Sequence, residues 1–261
     1  MTAHAVLAAT TTAPEQGAAG RLIAIASGKG GVGKTWLAIT LSHALAQRGR
    51  NVLLVDGDLG LANVDVQIGL QVGRDLSGLL KGERAEALAT PVPDAGFSVL
   101  AGRSGSGALA QLTPEQIEVI LAGLAEAKGF GTVILDIGAG LDRTARRLAS
   151  VADTLLVVTT EEPTALTDAY ACLKLAALDR PGGDRRIVVN MAGTQASGER
   201  TWLGLRKAAE NFLKVSPPLA GVVRRDARVS EAIRRQVPFL TRHPGAEAAS
   251  DIGRLAAILA P

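Results

Sequence analysis

One segment constrains this chain more than any other, Gly28-Lys29-Gly30-Gly31-Val32-Gly33-Lys34-Thr35, because it matches the pattern G-x-x-x-x-G-K-S/T at every position. It follows an apolar run at 22–26 and precedes a helical pattern, which is the context that a phosphate-binding loop requires. The glycines let the backbone N–H groups turn inward, Lys34 can reach terminal phosphates, and the Thr35 hydroxyl can face Mg²⁺. A glycine-rich turn without a ligand needs neither side chain, so the sequence predicts a phosphate cradle.

A second lysine, Lys29, lies inside this loop, although an ordinary phosphate-binding loop has no need of it. Among inward-facing amides, it would neutralise a phosphate of its own nucleotide or one held by a second copy of the protein. The loop with this extra lysine resembles the deviant Walker A motif of the MinD/ParA ATPases, in which the lysine crosses a dimer interface to the partner's nucleotide. The resemblance implies a homodimer that forms with ATP, and we place residues 28–36, including Trp36, in the expected nucleotide site.

Length and composition favour a single α/β domain. The 261 residues are 47% hydrophobic but only 3% aromatic, so the core must consist mainly of Ala, Val, Leu and Ile, as in buried parallel strands and their covering helices. The one cysteine, Cys172, excludes a disulfide framework and fits a reducing cytoplasm. Residues 1–20 lack the regions of a signal peptide and are expected to form a disordered tail, which leaves one domain over 21–261.

Strand and helix patterns alternate along the chain, from a strand at 51–56 to a strand at 219–223 and a last helix at 246–259. Helical crossovers join parallel strands and cover both faces of their sheet. The expected fold class is therefore α/β, a P-loop NTPase with a mostly parallel central sheet and helices on both faces. Ligands of such sheets bind beyond the carboxyl ends of the strands. Polar residues follow the apolar strands at these ends: Ser27, Asp56, Asp136, Thr159, Thr160 and Asn190.

Two acidic residues could supply the carboxylates of a nucleotide hydrolase. Asp136 ends an apolar strand, which suits a Walker B carboxylate that holds Mg²⁺ through water; the alternative is the N-cap of the next helix. Asp58 lies in the loop after the second strand and is the candidate switch residue that positions the attacking water; the alternative is the cap of the following turn. Catalysis would consist mainly of positioning and charge neutralisation, by Lys34 within the chain and by Lys29 across the dimer.

Longer segments extend the resemblance from the MinD/ParA family to one of its branches. The run VDGDLGLANVDV at 55–66 is similar to the switch segment of the FlhG branch, also called FleN or YlxH, of flagellar number and placement regulators within the MinD/ParA family. The run TTEEPTALTDAY at 159–170 is similar to the segment that follows the strand after Walker B in that branch. Residues 100–107 and 136–140 give two further matches. The resemblance implies an ATP-dependent dimerising switch, with slow ATP hydrolysis, that regulates flagellar number or placement.

The resemblance also implies roles for single residues. Gly30 to Thr35 would bind the ATP phosphates, and Thr35, Asp58 and Asp136 form the expected Mg²⁺ set, with Asp58 as the switch carboxylate. Asn190 matches the family's adenine-binding asparagine, whose amide can both donate to and accept from the base; the alternative is a turn residue at a strand end. Arg224 stands beside the expected adenine site, where relatives usually have proline.

The charge distribution leaves open a different kind of partner. Residues 181–261 hold 13 basic and 7 acidic side chains, which could form a basic face for nonspecific DNA or be scattered, solvated arginines. The helix at 246–259 has only Arg254 as a basic residue, so we expect a core helix rather than a membrane anchor. The alternative function is therefore a partition or cell-division positioning ATPase that acts on DNA or the membrane.

Flagellar partners are expected from the resemblance alone. It implies the SRP-type flagellar GTPase FlhF, or switch and basal-body proteins, although the tail lacks the Asp-Gln-Ala and Leu-Arg signature associated with FlhF. The expected location is the cytoplasm, with peripheral contact at the inner face of the membrane or at the cell pole left open.

Overall fold

The computed structural model describes residues 20–102 and 112–260. A mixed sheet lies at the centre of this part of the chain, in the order β3-β4-β2-β5-β1-β6-β7-β8. All neighbouring strands are parallel except the edge pair β3 and β4, which is antiparallel. The strands are β1 (Arg21–Ala26), β2 (Val52–Gly57), β3 (Thr90–Pro91), β4 (Ser98–Leu100), β5 (Thr132–Ile137), β6 (Thr154–Thr159), β7 (Asp184–Ala192) and β8 (Leu219–Arg224). The mostly parallel α/β fold predicted from the sequence is confirmed.

Helices connect these strands and cover both faces of the sheet. They are α1 (Lys34–Gln47), α2 (Val64–Ile68), a 3₁₀ turn (Leu76–Lys81), α3 (Ala85–Leu88), α4 (Pro114–Ala125), α5 (Arg143–Ser150), α6 (Pro163–Asp179), α7 (Gln195–Leu213), α8 (Ala227–Arg234), α9 (Phe239–Arg242) and α10 (Glu247–Leu259). Two separate apolar clusters result, one beneath α1, α9 and α10 and the other beneath α4, α5, α6 and α7. Because both faces of the central strands are buried, these strands consist of nearly continuous aliphatic runs.

The last helix, α10, belongs to the core. Ile252 and Leu255 are fully buried, and the helix packs against β8 and α1. Burial of an aliphatic side chain of this size stabilises the fold by about 1.5–3 kcal/mol, so the packing of α10 stabilises the edge strand β8. The sequence prediction of a core helix is confirmed. In the ranges 20–102 and 112–260, no helix combines the length and the apolar character needed to cross a membrane.

Local ion pairs engage part of the arginine-rich last third, in which 13 basic side chains exceed 7 acidic ones. Arg228 lies 2.8 Å from Asp226, and Arg242 contacts Glu231 at 2.5 Å. Further pairs join Arg186 to Asp184, Arg206 to Glu210, Arg224 to Asp251 and Arg254 to Asp251. Each pair removes positive charge that nucleic-acid phosphates would otherwise contact. The pairs therefore reduce the positive charge of this segment without cancelling it, and a basic face and scattered, solvated arginines both stay predictions.

The predicted disordered tail at 1–20 lies outside the described residues except for Gly20. The sequence match at 100–107 also falls outside them from residue 103 onward.

Candidate nucleotide-binding site

The parallel register brings the predicted polar residues to one edge of the sheet. Asp56 of β2 and Asp136 of β5 are direct partners in the β2–β5 ladder. The glycine-rich loop leaves the same edge between β1 and α1, and Asn190 lies near the carboxyl end of β7. The predicted convergence of strand-terminal residues is therefore present in the fold.

The glycine-rich loop has a backbone that requires glycine at several points. Gly31 and Gly33 adopt left-handed conformations, with φ of 79° and 85°, which side-chain-bearing residues rarely tolerate. Gly28 lies against α6, where an added Cβ would be 2.3 Å from the carbonyl oxygen of Asp168. Gly33 caps α1 without a side-chain hydrogen bond, and the first turn carries no acidic residue. The N–H groups at the start of α1 are therefore available to an anion, and the helix dipole favours a negative charge there.

Lys34 is held at the beginning of α1, beneath this loop. Only 8% of its surface is exposed, and burial lowers the pKa of its ammonium group. The negative charges of Asp136 and Asp58 oppose this shift. Two nearby carboxylates compensate this buried cation in part, and triphosphate oxygens would provide strong, charged acceptors for its N–H groups.

Asp136 is the most conspicuous carboxylate of the site. It is 1% exposed, and burial raises its pKa to about 7, although a hydrogen bond from the Thr35 hydroxyl opposes the shift. Its Oδ1 atom is buried without a hydrogen-bond partner in the described chain. Asp142, not Asp136, caps the next helix, since its carboxylate accepts the N–H groups of Thr144 and Ala145. An orphaned carboxylate oxygen beside a hydroxyl fits a hard divalent cation, so these residues fit Mg²⁺.

Asp56 has a different environment, although it occupies the matching position on the neighbouring strand. It is also 1% exposed, and burial raises its pKa to about 6. Its carboxylate accepts the backbone N–H groups of Asp58, Asn63 and Val64 at 3.2, 2.9 and 2.9 Å. Asp56 therefore folds the loop that carries Asp58. The sequence identified Asp56 only as a polar strand end, and nothing in its pattern indicated this bracing role.

Asp58 makes the turn contact that was the alternative to its predicted switch role. Its Oδ1 accepts the N–H of Leu61 at 3.0 Å and so caps the turn. Its carboxylate atoms also lie 3.1–3.3 Å from the position that a Cβ would occupy on Gly138, in the loop after Asp136. A larger residue at position 138 would therefore displace the Asp58 side chain. The structure brings Asp58, Lys34 and Asp136 together at one end of the cleft.

Lys29 is directed toward its own chain. Its Nζ donates to Glu162 Oε2 at 2.8 Å and to Thr164 Oγ1 at 2.8 Å, at the beginning of α6. The contact with Lys29 lowers the pKa of Glu162, whose side chain remains 63% exposed. Exposed ion pairs contribute only about 0–1 kcal/mol, so a stronger anion could draw Lys29 away at little cost.

A cleft of about 480 Å³ extends from the loop between the Asp58 segment and the ends of β7 and β8. Its lining includes Gly31, Lys34, Trp36, Asp58, Asn190 and Ile233. Asn190 is 2% exposed and donates from Nδ2 to the carbonyl oxygen of Val32 at 2.8 Å, so part of its amide braces the phosphate loop. Arg224 borders the cleft, but its guanidinium is bound to Asp251 and Glu247 of α10.

The parallel sheet, the glycine-rich loop at the start of α1 and the two carboxylates beside Lys34 define a P-loop NTPase. A family model, the CobQ/CobB/MinD/ParA nucleotide binding domain, matches residues 23–239. The chain belongs to this family. It is an ATPase of the MinD/ParA type, and ATP with Mg²⁺ is the cofactor pair of that type.

Individual relatives agree with this assignment. The chain is 32% identical over 229 residues to the antiactivator FleN of Pseudomonas aeruginosa, a match that covers 87% of this chain and 82% of FleN. It is 34% identical over 200 residues to the flagellum site-determining protein YlxH of Helicobacter pylori, which covers 73% and 65% of the two chains. The crystal structure of the cell division ATPase MinD of Pyrococcus furiosus superposes with a TM-score of 0.76 at 27% identity, covering 92% and 98%.

Proposed function

We propose that this protein is an ATP-dependent switch that dimerises with Mg²⁺-ATP, hydrolyses it slowly and regulates flagellar number or placement. The observation that carries the biochemical part is the buried Oδ1 of Asp136, which has no hydrogen-bond partner among the described residues and lies near Thr35 and Lys34. The flagellar setting rests on the similarity to FleN and YlxH, which spans most of the chain.

The residues of the loop would bind and orient the triphosphate. The N–H groups of residues 30–35 would bind the phosphate oxygens, and Lys34 would neutralise their charge within the same chain. Thr35, Asp136 and Asp58 would hold Mg²⁺, directly or through water, and the bound ion would supply further charge neutralisation at the phosphates. Mg²⁺ in nucleotide sites is commonly bound by one or two carboxylates together with substrate phosphates, so the phosphates would supply further ligands.

Asp58 would orient the water that attacks the terminal phosphate. Its carboxylate lies beside Gly138 and within the field of Lys34, so it stands at the phosphate end of the cleft. Asp56 holds the backbone of the Asp58 loop through three hydrogen bonds. A change in the loop on hydrolysis could therefore be transmitted to the surface around the exposed Leu61.

Lys29 would act across the dimer. It would leave Glu162 and Thr164 and approach the triphosphate of the partner, as a lysine equivalent of an arginine finger. Hydrolysis would then depend on dimerisation. The SRP-type GTPase FlhF and flagellar switch or basal-body proteins are the proposed partners of the ATP dimer, which would act in the cytoplasm near the membrane or the pole.

Two variants test this cycle. Lys29→Ala should retain ATP binding as a monomer but lose dimer-dependent hydrolysis, because only the contribution in trans is removed. Asp58→Ala should bind ATP and accumulate as a dimer, since the attacking water is no longer positioned. Binding is measured by titration calorimetry, dimerisation by sedimentation with ATP and Mg²⁺, and hydrolysis by phosphate release.

Unchanged turnover by Lys29→Ala would exclude the role in trans, and a monomeric, hydrolysing Asp58→Ala would exclude the switch assignment. The flagellar setting is tested separately, by capture of partners with Asp58→Ala and ATP. Recovery of chromosomal DNA, with binding that weakens steeply as salt is added, would instead favour a partition ATPase.

A further inference from the structure

The end of β7 contains an irregularity directly beside the phosphate loop. Along the β7–β8 ladder, Val189 pairs with Val222 and Ala192 pairs with Arg224. Between these two pairs β7 contains one more residue than β8, which is a β-bulge. Met191 lies in this bulge and has a φ of 54°, in the left-handed region. An unbranched side chain is uncommon there and strained, and such strain is typical of functional sites.

The location of Met191 distinguishes it from the other residues of this kind. In the described ranges, Asp94, Lys214 and Gln236 are the remaining non-glycine residues with positive φ. Lys214 terminates α7, where a left-handed residue is common. Among these four residues, Met191 alone lies within a strand and lines the cleft.

Met191 is fitted closely to the phosphate loop. A Cβ on Gly33 would lie 3.0 Å from Met191 Cε and 2.5 Å from Asn190 Nδ2. The same Nδ2 donates to the carbonyl oxygen of Val32. The bulge therefore places two consecutive side chains against the loop. Asn190 is hydrogen-bonded to the loop backbone, and Met191 is apolar and lines the cleft.

The cleft needs an apolar surface for the base of a nucleotide. The loop amides and Lys34 are suited to the phosphates, and one of the two N–H donors of the Asn190 amide is already engaged by the loop. Trp36, Val229 and Ile233 line the cleft on the sides formed by α1 and α8, whereas Met191 lines it from the sheet. A thioether is polarizable and contacts aromatic rings favourably, so Met191 has the chemistry to pack against a purine.

We propose that Met191 packs against the purine base of the bound ATP, and that the strained bulge is what directs its thioether into the cleft. The inference rests on the proposed binding of ATP and adds a base-contacting residue to it. Neither the loop motif nor the strand pattern assigns this role to Met191.

The test uses Met191→Gly, because glycine relieves the left-handed strain and removes the thioether. The melting temperature should rise by about 1–3 °C, while the Kd for ATP should increase about three- to tenfold. The affinity for inorganic tripolyphosphate, measured by displacement of a fluorescent ATP analogue, should stay within about twofold of wild type, since it contains no base. Met191→Leu, which keeps an apolar side chain, should keep the ATP affinity within about twofold.

Lys214→Gly is the matched control, since it relieves the same backbone conformation outside the cleft. It should raise the melting temperature without changing the Kd for ATP. An unchanged ATP affinity in Met191→Gly would overturn the inference. An equal loss of affinity for ATP and tripolyphosphate would overturn it too, because Met191 would then act only through the loop. Failure of the wild-type protein to bind ATP would instead contradict the proposed function.

Discussion

The ends of β2 and β5 carry two aspartates in matching positions with opposite hydrogen-bond environments. Asp56 and Asp136 are ladder partners, and each is 1% exposed. Asp56 accepts three backbone N–H groups, whereas Asp136 keeps one buried oxygen without a partner among the described residues. The two carboxylates are therefore equally buried, and they differ in how many of their oxygen atoms accept hydrogen bonds. Asp56 is a folding residue of the site, and Asp136 is available to a ligand.

The largest expected effect is the loss of hydrolysis in Asp136→Asn. The amide is nearly isosteric but carries no charge for Mg²⁺, so the rate of phosphate release should fall about 100- to 1,000-fold, similar to the loss of one electrostatic stabiliser in other enzymes. Circular dichroism should show an intact fold. Asp142→Asn, which alters a helix cap on the same loop, should retain near-normal turnover, and comparable losses in both variants would contradict the special role of Asp136.

The next effect is on the pH dependence of the free energy of unfolding. Asp136→Asn should remove the contribution that ionisation of Asp136 makes to it. Burial raises the pKa of Asp136 to about 7 from 3.8, so the unfolded chain releases this proton first as the pH rises. Unfolding is therefore favoured increasingly between about pH 4 and pH 7, by on the order of 4 kcal/mol in total at 1.36 kcal/mol per unit. Asn carries no such charge and escapes this loss.

The measurement is the difference in melting temperature between Asp136→Asn and wild type, without nucleotide and with a chelator. This difference should grow from pH 4.5 to pH 7.5. The charges of Asp56 and Asp58 help to raise the pKa of Asp136, so the difference reports the ionisation of Asp136 together with its coupling to these two neighbours. A difference that is constant over this range would mean that Asp136 ionises normally in the folded chain.

A smaller effect is expected for Asp56→Ala, which tests the other half of the comparison. Three N–H groups lose their acceptor, although water can reach the partly exposed ones, and the buried carboxylate no longer has to be desolvated. The free energy of unfolding should fall by about 2 kcal/mol, measured by urea denaturation. Asp58→Ala, in the same loop but with a single turn contact, should cost about 1 kcal/mol or less. Equal losses of free energy of unfolding in Asp56→Ala and Asp58→Ala would contradict the special role of Asp56 in holding the loop.

Local sequence signals predicted most of the fold and the phosphate side of the site. The long aliphatic runs identified the central strands, and the structure adds a capping box of Thr113 and Gln116 at the start of α4. Short or polar elements gave no comparable signal. The edge strand β3 has two residues, and α5 buries only Ala145 and Leu148 along its length. Their existence depends on neighbours that are distant in the chain.

The sequence by itself determined the phosphate loop, because its glycines, Lys34 and Thr35 act over eight consecutive positions through backbone geometry and charge. It also indicated the edge of the sheet where the site lies. Only the tertiary structure decided which of Asp56 and Asp136 has its hydrogen bonds satisfied and which residues Lys29 contacts. It also decided that Met191 adopts a left-handed backbone conformation and lines the cleft. Hydrogen-bond satisfaction and backbone strain depend on contacts between residues far apart in sequence, and no local pattern encodes them.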